Sequence, residues 1–272
     1  MCQVFKLTRS AYYHWLRVDK QEDTELNELI ETIFMNSYQS YGTRRIKEAL
    51  KQAYGLIVSR RRIGYIMKNL GLNTRNKRRF RVMTTDSNHN YTLAPNSLKQ
   101  DFQSSKINEK FVGDITYIPT KEGWLYLAIV IDLFSRKIVG WSMSSNMKTS
   151  LVNDALLMAI QNRQPRTGLI WHTDRGSQYA SDEHKKLLKK YGIVQSMSRR
   201  GNCYDNAVSE SFFHSLKTEL THHIKFETRS QANQAIFQYI EIFYNRKRLH
   251  SFNNYLSPSQ FEDKMLHLDM CA

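Results

Sequence analysis

The chain has 272 residues, and 40 Lys and Arg against 25 Asp and Glu give it a formal net charge of +15 at pH 7. This excess indicates a polyanionic partner, either a nucleic acid or an anionic membrane surface. No apolar run approaches the roughly 20 residues of a membrane span, and residues 1–6 lack the apolar core of a signal peptide. The three cysteines are far apart and form no Cys-x-x-Cys pair, which argues against a disulfide framework or a structural zinc site. We therefore expect a cytoplasmic protein with reduced thiols.

The positive charge is concentrated in the first 100 residues, which hold 18 basic and 8 acidic residues, against 22 and 17 in the remainder. An aromatic-rich stretch at 7–16 is predicted to be helical. Apolar spacing then predicts a helix from Glu25, a second from Thr43 to Gly55, and a third that Ser59 caps and Gly71 ends. The last two form a helix-turn-helix, in which a recognition helix presents the basic residues of its first turn to DNA, here Arg60, Arg61 and Arg62. The alternative is a three-helix packing domain with a solvated basic face.

Residues 75–81, RNKRRFR, are predicted to form an arm that binds phosphate groups, through Arg75, Lys77, Arg78, Arg79 and Arg81. The alternative is an unstructured charged linker, although such segments often order on a nucleic acid. Residues 82–106 have the polarity of an interdomain linker. We thus predict an N-terminal segment at 1–23, a DNA-binding helix-turn-helix domain at 24–72, and a basic arm with linker at 73–105.

The pattern changes at residue 111, where strands replace helices. Residues 111–118, 124–131 and 137–143 are rich in β-branched and aromatic residues, and the turn at 121–123 joins the first two strands as a hairpin. Alternating segments follow, namely helix 149–162, strand 169–173, helix 181–191, strand 193–197 and a helix that begins near Asp205. This order predicts an α/β fold with a mixed sheet and helices on both faces. We assign it to a catalytic core at 106–225, followed by a C-terminal helical region at 226–272.

Three carboxylates occupy rigid positions in this core. Asp114 interrupts an apolar strand, Asp174 follows strand 169–173, and Glu210 lies in the helix after Asp205. Hard oxygen ligands on rigid elements suit Mg²⁺, and three carboxylates can hold a pair of divalent cations for phosphoryl transfer. The alternatives are a hydrogen-bonded structural acid at 114, a turn residue at 174 and an ordinary surface acid at 210.

The helix that carries Glu210 has two different sides. At 100° per residue its apolar residues spread over one side as far as Leu220, while Glu210, His214 and Lys217 fall on the other. Lys217 is interpreted as a phosphate contact, with a solvated helix surface as the alternative. His172 and His214 are candidates for a supporting role behind the metal ligands, and a satisfied core histidine is equally compatible with residue 172. Tyr179 and Tyr204 flank the site. Each either packs inside the protein or stacks on DNA.

The local sequences around these acids resemble the integrase core of bacterial insertion-sequence transposases. The resemblance rests on residues 113–118 (GDITYI), 123–127 (GWLYL), 132–136 (DLFSR), 138–141 (IVGW), 172–179 (HTDRGSQY), 198–207 (SRRGNCYDNA), 210–213 (ESFF), 244–251 (YNRKRLHS) and 257–258 (SP). Between Asp174 and Glu210 lie 35 residues (210 − 174 − 1), the spacing of the D,D-35-E class that includes retroviral integrases. Residues 252–254 (FNN) depart from the family, which usually has a small residue and Leu-Gly there.

The resemblance implies an RNase H-like fold and a site for Mg²⁺, as a pair of ions and with Mn²⁺ as a substitute, formed by Asp114, Asp174 and Glu210. It also implies cleavage and joining of element ends, with Lys217 where that class carries a basic DNA contact. The implied partners are double-stranded DNA at the terminal inverted repeats and the target, further copies of the chain, and an upstream-frame protein or fusion, with no membrane. The implied location is the bacterial cytoplasm, at the nucleoid.

Two other functions remain open. One is a DNA-binding regulator with an inactive core, which would have no need of three carboxylates in these contexts. The other is a hydrolytic nuclease of the same fold, which would cut DNA without joining it. Motif 244–251 and the basic N-terminal region favour the transposase.

Overall fold

The computed structural model describes residues 8–10, 12–13, 24–75, 91–199 and 203–271. The chain forms two compact units, Met1–Thr74 and Arg75–Ala272. Half of the helix predicted at 7–16 lies outside the described residues, as do Lys77, Arg78, Arg79 and Arg81 of the predicted arm. Within the described ranges, no helix has the length and apolar character that crossing a membrane requires.

Between residues 24 and 75, the first unit contains three helices, α1 (Thr24–Asn36), α2 (Thr43–Tyr54) and α3 (Arg60–Asn69). Their buried side chains form one small core, which includes Ile30, Phe34, Ile46, Leu50, Ile63, Ile66 and Met67. The predicted cap of α3 is confirmed, because the hydroxyl of Ser59 accepts a hydrogen bond from the backbone N–H of Arg62 at 3.2 Å. Helix α2 ends at Gly55, whose φ of 68° is the left-handed conformation that glycine adopts without strain.

The second unit is built on a five-stranded sheet in the order β3-β2-β1-β4-β5. Strands β1, β2 and β3 are antiparallel, while β4 runs parallel to both β1 and β5. The predicted meander and mixed sheet are therefore confirmed. The bounds are β1 (Lys110–Thr120), β2 (Gly123–Asp132), β3 (Ile138–Ser144), β4 (Ile170–Thr173) and β5 (Val194–Met197).

One face of the sheet packs against helices α4 (Thr149–Arg163), α5 (Ser177–Ala180) and α6 (Asp182–Lys190). Two glycines allow close contacts in this unit. A Cβ on Gly140 would collide with the carbonyl oxygen of Ala155 in α4, and one on Gly113 would collide with the indole of Trp171. Gly113 directly precedes Asp114, so the indole of β4 fixes the strand beside that carboxylate.

The chain then forms a 3₁₀ turn (Cys203–Asn206), helix α7 (Ala207–Leu216) and a π-helical turn (Lys217–Thr221). Helix α8 (Arg229–Phe237) continues as a second π-helical segment (Gln238–Tyr244), and a 3₁₀ turn (Ser251–Asn253) precedes α9 (Pro258–Cys271). The sequence predicted one α-helix through Leu220, which is wrong. After Leu216 the bonding becomes i→i+5, with His222 N donating to Lys217 O at 2.9 Å.

Segments on both sides of the predicted core pack onto it. Leu98, within the predicted linker, is buried, and its backbone N–H donates to the hydroxyl of Ser196 in β5 at 3.2 Å. In the C-terminal region, the amide of Asn245 accepts from Ile138 N and donates to Ile138 O, both at 2.9 Å. Asn253, in the stretch that departs from the family pattern, donates to the carbonyl of Ser135 at 2.7 Å. The sheet is therefore held at both edges by residues outside the 106–197 stretch.

Candidate active site

Asp114 and Asp174 lie side by side on neighbouring strands. In the parallel pair β1–β4, Val112 is opposite His172. The two aspartates are each two residues further along, on the same face, where neighbouring strands are about 4.8 Å apart. The Ile115 N–H donates to Asp114 Oδ1 at 2.8 Å, and the Gly176 N–H donates to Asp174 Oδ1 at 3.0 Å. Backbone donors thus hold both carboxylates.

The carboxylates of Asp174 and Glu210 both repel the carboxylate of Asp114. Burial and then the neighbouring Asp174 carboxylate raise the pKa of Asp114 well above its usual range, and Glu210 adds to this rise. Lys217 acts in the opposite direction on the pKa of Asp114. Burial lowers the pKa of Lys217, while Asp114 opposes that shift. Asp174, Glu210 and Lys217 are therefore all close enough to Asp114 to affect its ionisation.

Helix α7 brings Glu210 towards the two aspartates. Phe212 and Leu216 are buried and fix its apolar side, while Glu210 and His214 are exposed, as the helical pattern predicts. Lys217 is half-buried at the first position of the π-helical turn, with its ammonium 5.3 Å from the centre of the Tyr117 ring. Glu210 and Lys217 are thus carried by one rigid element that ends beside β1.

Among the described residues, no three His, Cys, Asp or Glu side chains converge tightly enough to hold an ion as they stand. The donor chemistry nevertheless fits a hard cation. Asp114 and Asp174 are adjacent oxygen ligands with unfavourable like charges, and a cation relieves such repulsion. Glu210 is exposed, so its carboxylate is outside the packed core and can turn towards them.

The residues next to the acids have distinct environments. Both ring nitrogens of His172 contact hydroxyls, Nδ1 that of Ser196 at 2.8 Å and Nε2 that of Ser198 at 3.2 Å. Burial lowers the pKa of His172, so it is a neutral core histidine that ties β4 to β5. Tyr179 is buried, and its hydroxyl has no hydrogen-bond partner among the described residues. A stacking role for its ring is incompatible with this burial, and the side chain of Tyr204 lies outside the described part of the chain.

The basic residues predicted to contact DNA outside the core differ in their surroundings. Arg60, Arg61 and Arg62 are exposed in the first turn of α3, which has no acidic residue. Cations at the positive end of a helix dipole are unfavourable unless an anion accompanies them, so this turn suits a phosphate group. The guanidinium of Arg75 instead donates to the carbonyl oxygen of Glu219 at 2.5 Å, within the second unit.

Sequence reasoning missed two charged residues that hold the ends of the Glu210 element. Asp205, fully buried before α7, accepts hydrogen bonds from the side chains of Asn96, Gln100 and Arg199. The hydrogen bond from the side chain of Arg199 lowers the pKa of Asp205 despite its burial. Glu219 was missed as well, because a single acid in a helical stretch is usually a surface residue.

Glu219 and Arg248 form a buried ion pair behind the site. The guanidinium of Arg248 donates to the carboxylate of Glu219 at 2.6 Å from Nη2 and at 2.9 Å from Nε, and each side chain is 5% exposed. Tyr239 donates to the same carboxylate at 2.7 Å, and Arg248 Nη2 also donates to Ser215 Oγ at 3.2 Å. This network connects the C-terminal motif 244–251 to the helix that carries Glu210.

Family models and relatives agree with this architecture. An integrase core domain model matches residues 104–203, a second integrase core domain model matches residues 210–266, and an HTH-like domain model matches residues 20–80. The chain is 46% identical over 237 residues to the transposase for insertion sequence element IS904 of Lactococcus lactis, and the match covers 87% of this chain and 93% of that protein.

A second relative is the insertion element IS600 uncharacterized 31 kDa protein of Shigella sonnei, 44% identical over 97% of this chain and 98% of that protein. Among solved structures, a chain of the simian T-cell lymphotropic virus intasome is similar with a TM-score of 0.48 and 18% identity, over 79% of this chain and 70% of that chain. This chain therefore belongs to the insertion-sequence transposases that carry an integrase core domain.

Proposed function

We propose that the chain cleaves the ends of an insertion sequence and joins the resulting 3′-hydroxyl groups to target DNA. The observation that carries this proposal is the group of three acids beside a lysine, in which Asp174, Glu210 and Lys217 all act on the charge of Asp114. The relationship to the IS904 transposase supports the reaction.

The three acids have the role of metal ligands in this proposal, for a pair of Mg²⁺ ions. Mg²⁺ bound there would activate water or a 3′-hydroxyl and stabilise the leaving oxygen. Backbone donors hold the carboxylates of Asp114 in β1 and Asp174 directly after β4, and the exposed Glu210 of α7 would turn towards them to complete the ligand set. In the proposed reaction water or a 3′-hydroxyl attacks the phosphate directly and the 3′-oxygen leaves. No covalent bond between enzyme and DNA forms, so no serine or tyrosine nucleophile is required.

The DNA is held by basic residues on both units in this proposal. Arg60, Arg61 and Arg62 of α3 contact phosphates or the major groove. Lys77, Arg78, Arg79 and Arg81 of the arm follow the DNA backbone, while the guanidinium of Arg75 is bonded to Glu219. The proposed partners are the terminal inverted repeats and target DNA, further copies of the chain that assemble on them, and an upstream-frame protein or fusion. The proposed location is the nucleoid.

A strand-transfer assay tests the function. The full chain is incubated with labelled element ends, a supercoiled target plasmid and Mg²⁺, and covalently joined products are resolved on a denaturing gel. Joined products are expected. Nicked ends without joined products would identify a hydrolytic nuclease, and bound but intact ends would identify a DNA-binding regulator.

Substituting Lys217 is expected to weaken engagement of the DNA more than the chemical step. Lys217 lies seven residues after Glu210, roughly 10 Å along the helix at 1.5 Å per residue, where its ammonium reaches a phosphate next to the scissile one. Loss of one charged hydrogen bond is worth about 1.5–3 kcal/mol, so Lys217→Ala should lose about ten- to a hundredfold in affinity. Single-turnover cleavage at increasing DNA concentrations measures this.

Saturating DNA should restore most of the rate of Lys217→Ala, whereas Lys190→Ala, an exposed lysine at the end of α6, should resemble the wild type. If the Lys217→Ala rate at saturation stays as low as that of Glu210→Gln, the lysine acts in the chemical step and the positioning role is wrong.

The affinity for DNA should depend strongly on salt. If the basic residues of α3 and the arm neutralise about six to ten phosphates, affinity falls about 10³–10⁵-fold between about 50 and 200 mM salt. Replacing Arg60, Arg61 and Arg62 by Gln should reduce the slope of log K against log salt by about 0.9 for each phosphate that these arginines neutralise. Fluorescence anisotropy over a salt series measures the slope, with Lys190→Gln as control. An unchanged slope in the triple variant would show that α3 does not bind phosphates.

A further inference from the structure

A pair of aromatic residues, one half-buried and one exposed, lies beside the proposed active site and has no role in the reaction described above. The rings of Tyr117 and Trp124 meet edge to face, with 4.7 Å between their centres and 80° between their planes. Trp124 is 48% exposed, an unusual exposure for the largest side chain of a well-packed hairpin. We refer to these two residues as the aromatic shelf.

The shelf is connected to the acids through one side chain. The ammonium of Lys217 lies 5.3 Å from the centre of the Tyr117 ring, within cation–π range. The same lysine acts electrostatically on Asp114. Contacts therefore lead from the acids through Lys217 and Tyr117 to the exposed indole.

The shelf is also held rigidly. Strands β1 and β2 meet at the hairpin that carries Trp124, and the segment after the π-helical turn braces it. Lys121 N donates to Phe226 O at 3.1 Å, and the guanidinium of Arg229 donates to the carbonyl of Trp124 at 3.1 Å. The indole is thus presented to solvent by a fixed backbone, as a stacking surface requires.

The distance from the acids matches the spacing of nucleotides. The Cα of Tyr117 lies three residues along β1 from that of Asp114, about 10 Å at about 3.4 Å per residue. Because side chains alternate along a strand, the two side chains leave opposite faces, and Lys217 interacts with both. Stacked bases along one strand are also about 3.4 Å apart, so this distance corresponds to about three nucleotides. The half-buried Lys217 adds positive charge at the shelf, where a phosphate backbone would pass.

Resting on the proposed function, we propose that the aromatic shelf stacks on an unpaired base within about three nucleotides of the scissile phosphate. Trp124 supplies the stacking face. Tyr117 supports the indole and at the same time positions Lys217 against the neighbouring phosphate. The shelf would thus hold an unpaired end of the DNA. It would bind a frayed or forked end more tightly than an intact duplex.

Binding to two DNA probes tests this proposal. One probe is a duplex with a short unpaired arm that carries 2-aminopurine, and the other is the same duplex with a blunt end. The full chain carries Asp174→Asn, so that the DNA remains uncut in Mg²⁺. Trp124→Ala is expected to lower affinity for the forked probe about ten- to a hundredfold, to leave the blunt probe nearly unaffected, and to abolish the quenching of 2-aminopurine fluorescence on binding.

Two further variants control for structural effects. Trp124→Phe keeps a stacking ring and should retain most of the quenching. Phe237 is also an exposed ring that meets a tryptophan edge to face, with 5.9 Å between the ring centres of Phe237 and Trp141. Phe237→Ala should therefore behave like the parent. The proposal would be overturned if Trp124→Ala bound the forked probe as tightly as the parent and quenched 2-aminopurine as strongly. It would also be overturned if the variant lost the same affinity for both probes.

The shelf and the function on which it rests fail in different assays. A wild-type chain that joins no element ends contradicts the transposase proposal, while quenching that depends on Trp124 would still establish the shelf. Efficient joining by Trp124→Ala, with quenching unchanged, would retain the transposase and reject the shelf.

Discussion

Asp114→Asn, Asp174→Asn and Glu210→Gln should each abolish cleavage while leaving DNA binding nearly intact. Each change removes the charge of a proposed metal ligand and keeps the shape of the side chain. Residues that only support metal ligands cost about 10- to 100-fold when removed, so loss of a ligand should exceed about 100-fold. Single-turnover cleavage in Mg²⁺ measures the rate, and anisotropy with the same DNA measures binding. Substantial cleavage by any of the three variants would remove that residue from the site.

Thermal unfolding separates this effect from misfolding. Burial and the Asp174 carboxylate raise the pKa of Asp114 in the folded chain. The free energy of unfolding therefore falls as the pH rises from the ordinary pKa of an aspartate towards the raised pKa. Asp114→Asn removes that loss, and at neutral pH in EDTA the variant should be at least as stable as the wild type. Mg²⁺ at about 100 times its Kd stabilises a binding protein by about 2.7 kcal/mol, a gain that the variant should largely lack.

Arg248→Met should destabilise the second unit by about 3–5 kcal/mol, since removing one partner of a buried ion pair leaves the other charge uncompensated. For about 200 residues, 1 kcal/mol corresponds to about 2–4 °C in Tm, so the transition of this unit should fall by about 6–20 °C. Differential scanning calorimetry measures the shift. Cleavage should fall as well, because Glu219 anchors the element that carries Glu210.

The matched control is Arg246→Met, two residues earlier and exposed, which should change stability by less than about 0.5 kcal/mol. The double variant Glu219→Met with Arg248→Met removes both charges, so it should be more stable than Arg248→Met alone. If Arg248→Met and Arg246→Met unfold at the same temperature, the buried pair does not hold the C-terminal region to the core.

Local features of this fold can be predicted from the sequence because they depend on neighbouring residues. The cap at Ser59 depends only on residues 59–62, and the hairpin between β1 and β2 depends on the alternation of apolar residues and a glycine turn. The adjacency of Asp114 and Asp174 is less local. It follows from the register of β1 on β4, which the sequence alone leaves open. The family resemblance supplied that pairing in advance.

Features that depend on distant residues were not predicted. The apolar period of α7 continues to Leu220, so the change to π-helical bonding after Leu216 has no local signal. The π-helical turn places Glu219 in the interior, where its partner Arg248 lies 29 residues away in the chain. Likewise, Asp205 is held by Asn96 and Gln100, more than 100 residues earlier. Pairings of this kind require the tertiary structure.

The side-chain amide of Asn245 has a consequence for where this protein can be divided. Strand β3 is at the edge of the sheet, and the amide takes both the N–H and the C=O of Ile138, as a further strand would. An open edge offers such groups to other chains and promotes aggregation. A fragment ending near residue 225 would contain all three acids and Lys217, yet it would expose this edge and leave the charge of Glu219 unpaired. The segment that contains the proposed active-site residues is therefore shorter than the segment that the second unit needs in order to fold on its own.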